Sequence, residues 1–217
     1  GGQQEEKQVH DRRRRADVLI SEILDTGLIG EHMLPSLNDA RRRLLRPGAL
    51  MVPGAATVLA VAIHVPEQAY PVSLPLTKLG LDLQGQETTA SVNMKCFNRF
   101  RVGGSSYEQV RLNELEHTPL SPVVEAFHFD FTGSAPSPLE REVDLHVPIE
   151  HSGTCNAVAF WFDLDLFTQG RGGGRGPIIS TAPVAAGSGQ QQHSSWNQAL
   201  QFLKKPLAVE AGVPLRL

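Results

Sequence analysis

Cysteine is scarce in this 217-residue chain: there are two, Cys96 and Cys155, far apart and in no CxxC pattern. That usage offers no disulfide framework and fits reduced thiols in an intracellular protein. Long apolar runs are missing too. No window approaches the roughly 18 consecutive apolar residues of a membrane-spanning helix, and no signal-peptide pattern opens the chain. Charge of one sign is not in excess. Twenty Lys and Arg stand against 23 Asp and Glu, a net charge of -3 that leaves no overall electrostatic footprint for nucleic acid or membrane. Eight histidines include His64, His128, His146 and His151 in or beside strand-like runs. They have no clustered carboxylate or cysteine at ligand spacing, so no metal site is expected. There is no internal repeat. What the chain has in quantity is punctuation, 15 prolines and 20 glycines, spread as short strands joined by turns would use them. Its length allows one large or two small domains.

Residues 1–15, "GGQQEEKQVHDRRRR", form a polar lead-in. Its Arg12–Arg15 run is either a nuclear-import or phosphate patch or, more simply, a solvated flank. "ADVLISE" then predicts a buried strand over 17–21, with Val18, Leu19 and Ile20 in a row. The loop over 21–31 turns through Gly27 and Gly30 and carries Glu22, Asp25 and Glu31. A strand that ends on a carboxylate places it at the C-terminal edge of a sheet, where open α/β sheets bind ligands. Next, Leu34, Leu37, Ala40 and Leu44 recur at helical spacing, with Pro35 in a first turn and Arg41 to Arg43 complementing the dipole at the far end. Pro47-Gly48 is expected to stop this helix, and "ALMVP" to form a second short buried strand. Residues 1–53 thus read as the tail end of an α/β sheet.

From residue 54 the texture changes. "ATVLAVAIHV", "FHFDF", "REVDLHVPI", "NAVAFWFDLDLF" and "ALQFLKKPLAV" are strand-like and separated by Gly, Pro and Ser turns, which predicts a largely antiparallel sandwich or barrel over 54–217. No strong second helix is expected before 196–202. The "FWF" at 160–162 and Cys155 read as core. Residues 84–125 are longer and more polar, and 168–195 are Gly/Ser/Gln-rich, a flexible loop by composition. The "GRGGGRG" at 170–176 precedes no helix and is not a cofactor loop.

Two carboxylates on one short loop can grip one planar cation, and guanidinium fits best because its fork of N–H donors is accepted bidentately. Guanidinium stays protonated and is a poor nucleophile unless held and polarised, which paired carboxylates do by positioning and charge. By spacing alone, though, Glu22 and Glu31 read more simply as exposed loop charges.

The wording of the region decides between these. "ADVLISEILDTGLIGEHMLPSLNDARRRLLRPGALMVPGAATVLA" closely resembles the double-glutamate region of the protein arginine N-methyltransferases, and "DT-LIGE-LPS" is most like their tandem-domain, monomethylating subgroup. "EAFHFDFTG" and "NAVAFWFDLDLF" resemble the family's barrel strands, and "HSSWNQALQFLKKPLAVEAG" its Thr-His-Trp loop and following strand. The resemblance runs from about residue 16 to the end. It implies an α/β + β fold, the remnant of a Rossmann-like methyltransferase sheet (1–53) followed by an antiparallel β-barrel substrate domain (54–217), with a dimerisation arm about 84–125. It implies that Glu22 and Glu31 grip the substrate arginine. Trp196, Ser195 and Met33 are then substrate-binding residues, Ser195 standing where the family has histidine. Asp25 takes no family role and reads as a loop-capping carboxylate. The implied cofactor is S-adenosylmethionine, whose glycine-rich turn and acidic ribose contact belong upstream of the loop, so this chain reads as a C-terminal fragment. Implied partners are Arg-Gly-rich protein substrates and a second module, as homodimer or tandem pseudodimer, with neither membrane nor specific nucleic acid. The implied setting is the cytoplasm, with the nucleus as a second compartment. By composition the Gly-rich loop is by default a flexible connector, with weak RNA binding or methylation of its own arginines as the two functional readings. The alternative is a non-catalytic β-rich interaction module that has lost the cofactor half.

Overall fold

A computed structural model describes residues 15–67, 69, 75–76, 92–93, 107–133, 135–168, 176–184 and 196–217. The run around Val18 forms strand β1 (Ala16–Ile20), followed by a loop, helix α1 (Met33–Arg43) and strand β2 (Leu45–Val52). β1 and β2 are parallel, with Leu19 opposite Met51 and Ile20 opposite Val52. The expected helix buries Met33, Leu34, Leu37 and Ala40, one face at i, i+3/i+4 spacing, while its basic last turn stays at the dipole's negative end. It ends before Pro47-Gly48: Leu44 is already the C-cap, and the Pro-Gly pair lies inside β2. There the β1–β2 register shifts, and Gly48 takes φ +74°, a left-handed value that suits glycine. A further correction concerns burial. β1 was expected to be buried, yet Val18 is 46% and Ile20 77% exposed. Parallel strands bury both faces only when both are covered, and the described residues cover one.

β3 (Ala55–His64) follows. Two short strands, β4 (Pro75–Leu76) and β5 (Val92–Asn93), pair with each other. The remaining strands are β6 (Glu108–Val110), β7 (Thr118–Pro119), β8 (Val124–Asp130), β9 (His146–Val147), β10 (Gly153–Asp165), β11 (Ile178–Ser180), β12 (Gln198–Val209) and β13 (Leu215–Arg216). β10 is the axis of a curled antiparallel sheet in the order β6-β12-β10-β3-β7, with β8 also on β3 and β11 on β10. This is the half-barrel that the strand spacing predicts.

Three expectations change. Within 196–202, strand rather than helix begins at Gln198, because its short apolar run pairs with β10 on one side and β6 on the other. The Gly-rich stretch 168–195 is not one continuous loop: "PIIST" supplies β11 and buries Thr181 completely. Of 84–125, residues 108–110, 118–119 and 124–125 belong to the main sheet, in β6, β7 and β8. Most of 84–106 lies outside the described residues, as do Arg12–Arg14, Cys96 and the 170–175 glycine cluster.

The expected boundary at 53/54 is not a boundary in the core. Leu24, Leu28, Leu34 and Leu37 from the α/β part pack in one cluster with Val58, Phe129, Phe131 and Phe162 from the barrel. Burying a leucine or phenylalanine stabilises by about 1.5–3 kcal/mol. The two parts therefore hold each other.

Candidate functional site

The loop from Ser21 to His32 joins the C-terminal end of β1 to the N-terminus of α1. Ser21 still donates its N–H to Val52 (2.9 Å), so Glu22 is the first residue beyond the paired strand. Glu31 directly precedes the helix N-cap His32, which has φ 61° and no side-chain cap. Both glutamates thus stand at the strands' carboxyl edge, the position ligands occupy on open α/β sheets.

Leu24 and Leu28 are buried and pull the loop against the barrel, while the Leu28 N–H closes a turn on the Asp25 carbonyl at 2.9 Å. Asp25 caps the loop as expected. Its Oδ1 accepts the Gly30 N–H at 2.9 Å, and its Oδ2 accepts the Tyr107 hydroxyl. Trp196 donates its indole N–H to the Leu24 carbonyl at 2.8 Å and sets its ring edge against Phe162, centroids 5.9 Å apart. Two aromatic side chains from the β6–β12 edge therefore hold consecutive loop residues. Gln198, two residues after Trp196 and buried, anchors the start of β12: it accepts the Leu112 N–H (2.9 Å) and donates to the Thr181 carbonyl (2.8 Å). Gly27 lies under the Tyr107 ring, where a Cβ would collide with it.

Against this fixed loop, Glu22 and Glu31 are exposed. Among the described residues neither accepts a hydrogen bond or forms an ion pair. Trp196 meets the loop that carries them. Ser195 lies outside the described residues. Met33 is corrected: it is fully buried in the shared core, and a thioether without exposed surface packs α1 rather than lining a site.

Tyr107 escaped the sequence reading. Its partner is 82 residues away, and a single tyrosine in a polar stretch carries no periodic signal. Burial pushes its phenol well above the ordinary value of 10, helped by the hydrogen bond to Asp25 and the negative charges of Asp25 and Glu31. A phenol raised in the folded state stabilises the fold fully below the unfolded value and loses that contribution as pH rises beyond it. Stability should therefore decline above about pH 10. Denaturation followed from pH 8 to 11 should show that decline in the parent and a flatter curve in Tyr107→Phe.

The family profile described as "Arginine methyltransferase oligomerization subdomain" matches residues 84–217. The chain is 32% identical over 209 residues to the arginine N(omega)-methyltransferase of Streptomyces achromogenes subsp. streptozoticus, covering 96% of this chain and 50% of that protein. It is 28% identical to protein arginine N-methyltransferase 7 of Drosophila virilis, covering 93% of this chain and 31% of that one. The chain thus spans half or less of the length of these relatives. Among solved structures, the Trypanosoma brucei PRMT1 enzyme-prozyme heterotetrameric complex with AdoHcy superposes at a TM-score of 0.62 with 21% identity, over 92% of this chain and 56% of that one. That likeness is one of fold.

Proposed function

Because the chain belongs to the arginine methyltransferase family, we propose that it supplies the arginine-gripping loop and the barrel of a protein arginine N-methyltransferase module. The observation that carries this reading is the contrast within one loop: Leu24, Thr26 and Leu28 are buried and Asp25 is hydrogen-bonded on both oxygens, while its two glutamates face solvent without partners among the described residues. A locked loop with two free carboxylates is preorganised for a cation. Guanidinium, with donors on two edges, takes one carboxylate on each. Held this way, its positive charge is offset and one nitrogen is left free to attack.

S-adenosylmethionine, the methyl donor of this reaction, supplies an electrophilic sulfonium methyl group when bound. The described residues fit the arginine end and not the donor: no glycine-rich strand-to-helix turn precedes the loop among them. Donor binding falls to residues outside these. The β1–β2 pair offers an uncovered apolar face, Val18, Ile20 and Leu50, for further layers of a Rossmann-like sheet. The oligomerization-subdomain match and the heterotetrameric neighbour support assembly of two modules, as a homodimer or a tandem pair.

The substrate is peptidyl arginine in Arg-Gly-rich segments. The Streptomyces relative's name specifies arginine without protein, so free arginine is the comparison. The test has two arms. A complete module with its donor-binding half should methylate an Arg-Gly-rich peptide in preference to free arginine, read by mass spectrometry. The 217-residue chain alone should give no saturable heat with S-adenosylmethionine in calorimetric titration. Micromolar binding by that chain would place the donor site among its own residues and overturn this assignment. A complete module without transfer would favour a non-catalytic interaction role.

A further inference from the structure

We propose that Tyr107 is a positioning residue for arginine methylation: its hydroxyl fixes Asp25, Asp25 fixes the Gly30 amide, and that link sets where Glu31 presents its carboxylate. The inference rests on the gripping role of Glu31 proposed above, and extends it to a residue that touches neither substrate nor donor.

The chain of contacts is short. The Tyr107 hydroxyl donates to one oxygen of Asp25, and the other oxygen accepts the Gly30 N–H at 2.9 Å. Both oxygens of Asp25 are thereby occupied inside the loop, so this acid holds the loop rather than offering a free third carboxylate. Gly30 is covalently joined to Glu31, so fixing its amide leaves the glutamate few backbone orientations. The phenol is held in turn. Its ring sits edge-on to Phe160 with centroids 5.4 Å apart at 83°, and Phe160 belongs to β10, the central strand of the sheet. Tyr107 also directly precedes β6, whose pairing with β12 fixes the backbone from which the side chain leaves.

Two glycines fit this arrangement. A Cβ at Gly27 would meet the Tyr107 ring, and one at Gly30 would meet the Asp25 carboxylate. The loop is bare at the two points where the phenol and the carboxylate press against it. Glu31, for its part, lies close enough for its charge to act on the phenol. A purely structural tyrosine would need only its ring here. A positioning tyrosine needs its hydroxyl.

Tyr107→Phe keeps the ring and its contact with Phe160 and removes only the hydroxyl. In the complete module, the expected result is a fall of about 10- to 100-fold in kcat/KM for an Arg-Gly-rich peptide, the scale of a displacement of about 1 Å or less in a gripping group. The KM for S-adenosylmethionine should stay near the parent's, and the melting temperature should fall by no more than the loss of one hydrogen bond gives. Asp25→Ala should show the same kinetic loss, and the double variant should be no worse than Asp25→Ala alone, since both changes cut one path. Amide hydrogen exchange at Gly30, which needs no activity, should be several-fold faster in Tyr107→Phe than in the parent. Parent-like kinetics in Tyr107→Phe, additive losses in the double variant, or parallel losses of donor affinity and melting temperature would each overturn the proposal. If Tyr107→Phe does not fold, Asp25→Ala and its Gly30 exchange decide it, unchanged kinetics or unchanged exchange counting against. If the parent module transfers no methyl group to arginine, the functional reading fails by itself, and Gly30 exchange still reports whether Tyr107 holds the loop.

Discussion

Glu31→Gln in the complete module is expected to lower kcat/KM for an arginine substrate by about 30- to 3,000-fold, the range for truncating one partner of a close charge pair. Glutamine keeps the shape and one acceptor oxygen but removes the charge that offsets guanidinium. Glu22→Gln should fall in the same range, since the proposed grip sets the two carboxylates on different edges of one group. Neither glutamate carries a hydrogen bond among the described residues, so neither variant gives up a contact of the fold, and melting temperatures should not move. Steady-state kinetics with a fixed peptide and thermal denaturation in parallel separate the two effects. A variant that turns over within a few-fold of the parent would show that the loop's glutamates are ordinary surface charges.

Phe162→Ala should cost about 3–5 kcal/mol of folding stability, the usual loss for emptying a buried aromatic position. Phe162 is 1% exposed and lies where the α/β part, the barrel and the site meet. Its strand position is opposite Val58, and the Thr181 hydroxyl accepts its N–H and donates to its carbonyl, both at 3.0 Å. That bracket on the backbone limits how far the strand can collapse into the space left by the ring. The same ring supports Trp196, which holds Leu24, so this variant should also lose activity beyond what its unfolded fraction explains. Urea denaturation of the parent and the variant gives the comparison. A loss under about 1.5 kcal/mol would mean that the two parts have separate cores.

The loop and the helix after it were legible because their signals are local. Leu34, Leu37 and Ala40 mark one helical face, although Leu44, the fourth residue of that spacing, is the exposed C-cap, and Glu22 stands at the end of an apolar run. The barrel was legible as a class, since "ATVLAVAIHV" and "NAVAFWFDLDLF" are long runs bounded by turn residues and became β3 and β10. Partners distant in sequence were not legible. Nothing near Gln198 or Leu200 distinguishes a strand from a helix, and the pairing of Leu200 with Ala159 and Glu108 decides it. "PIIST" was hidden by the glycine-rich composition around it. Met33, read only through the resemblance as a site residue, is buried at the start of the helix. Tyr107 needed the third dimension altogether.

The core shared across Pro53–Gly54 has a consequence for how such proteins can be recombined. A chimera that exchanges barrels at that joint would keep the chain in frame and yet split a packed cluster, leaving Leu24, Leu28 and Phe162 facing side chains chosen for other neighbours. The natural unit of exchange begins earlier, at β1, and carries loop, helix and barrel together. Loop position and barrel shape are then inherited as one block, and a change on either side of the joint asks for an answering change on the other.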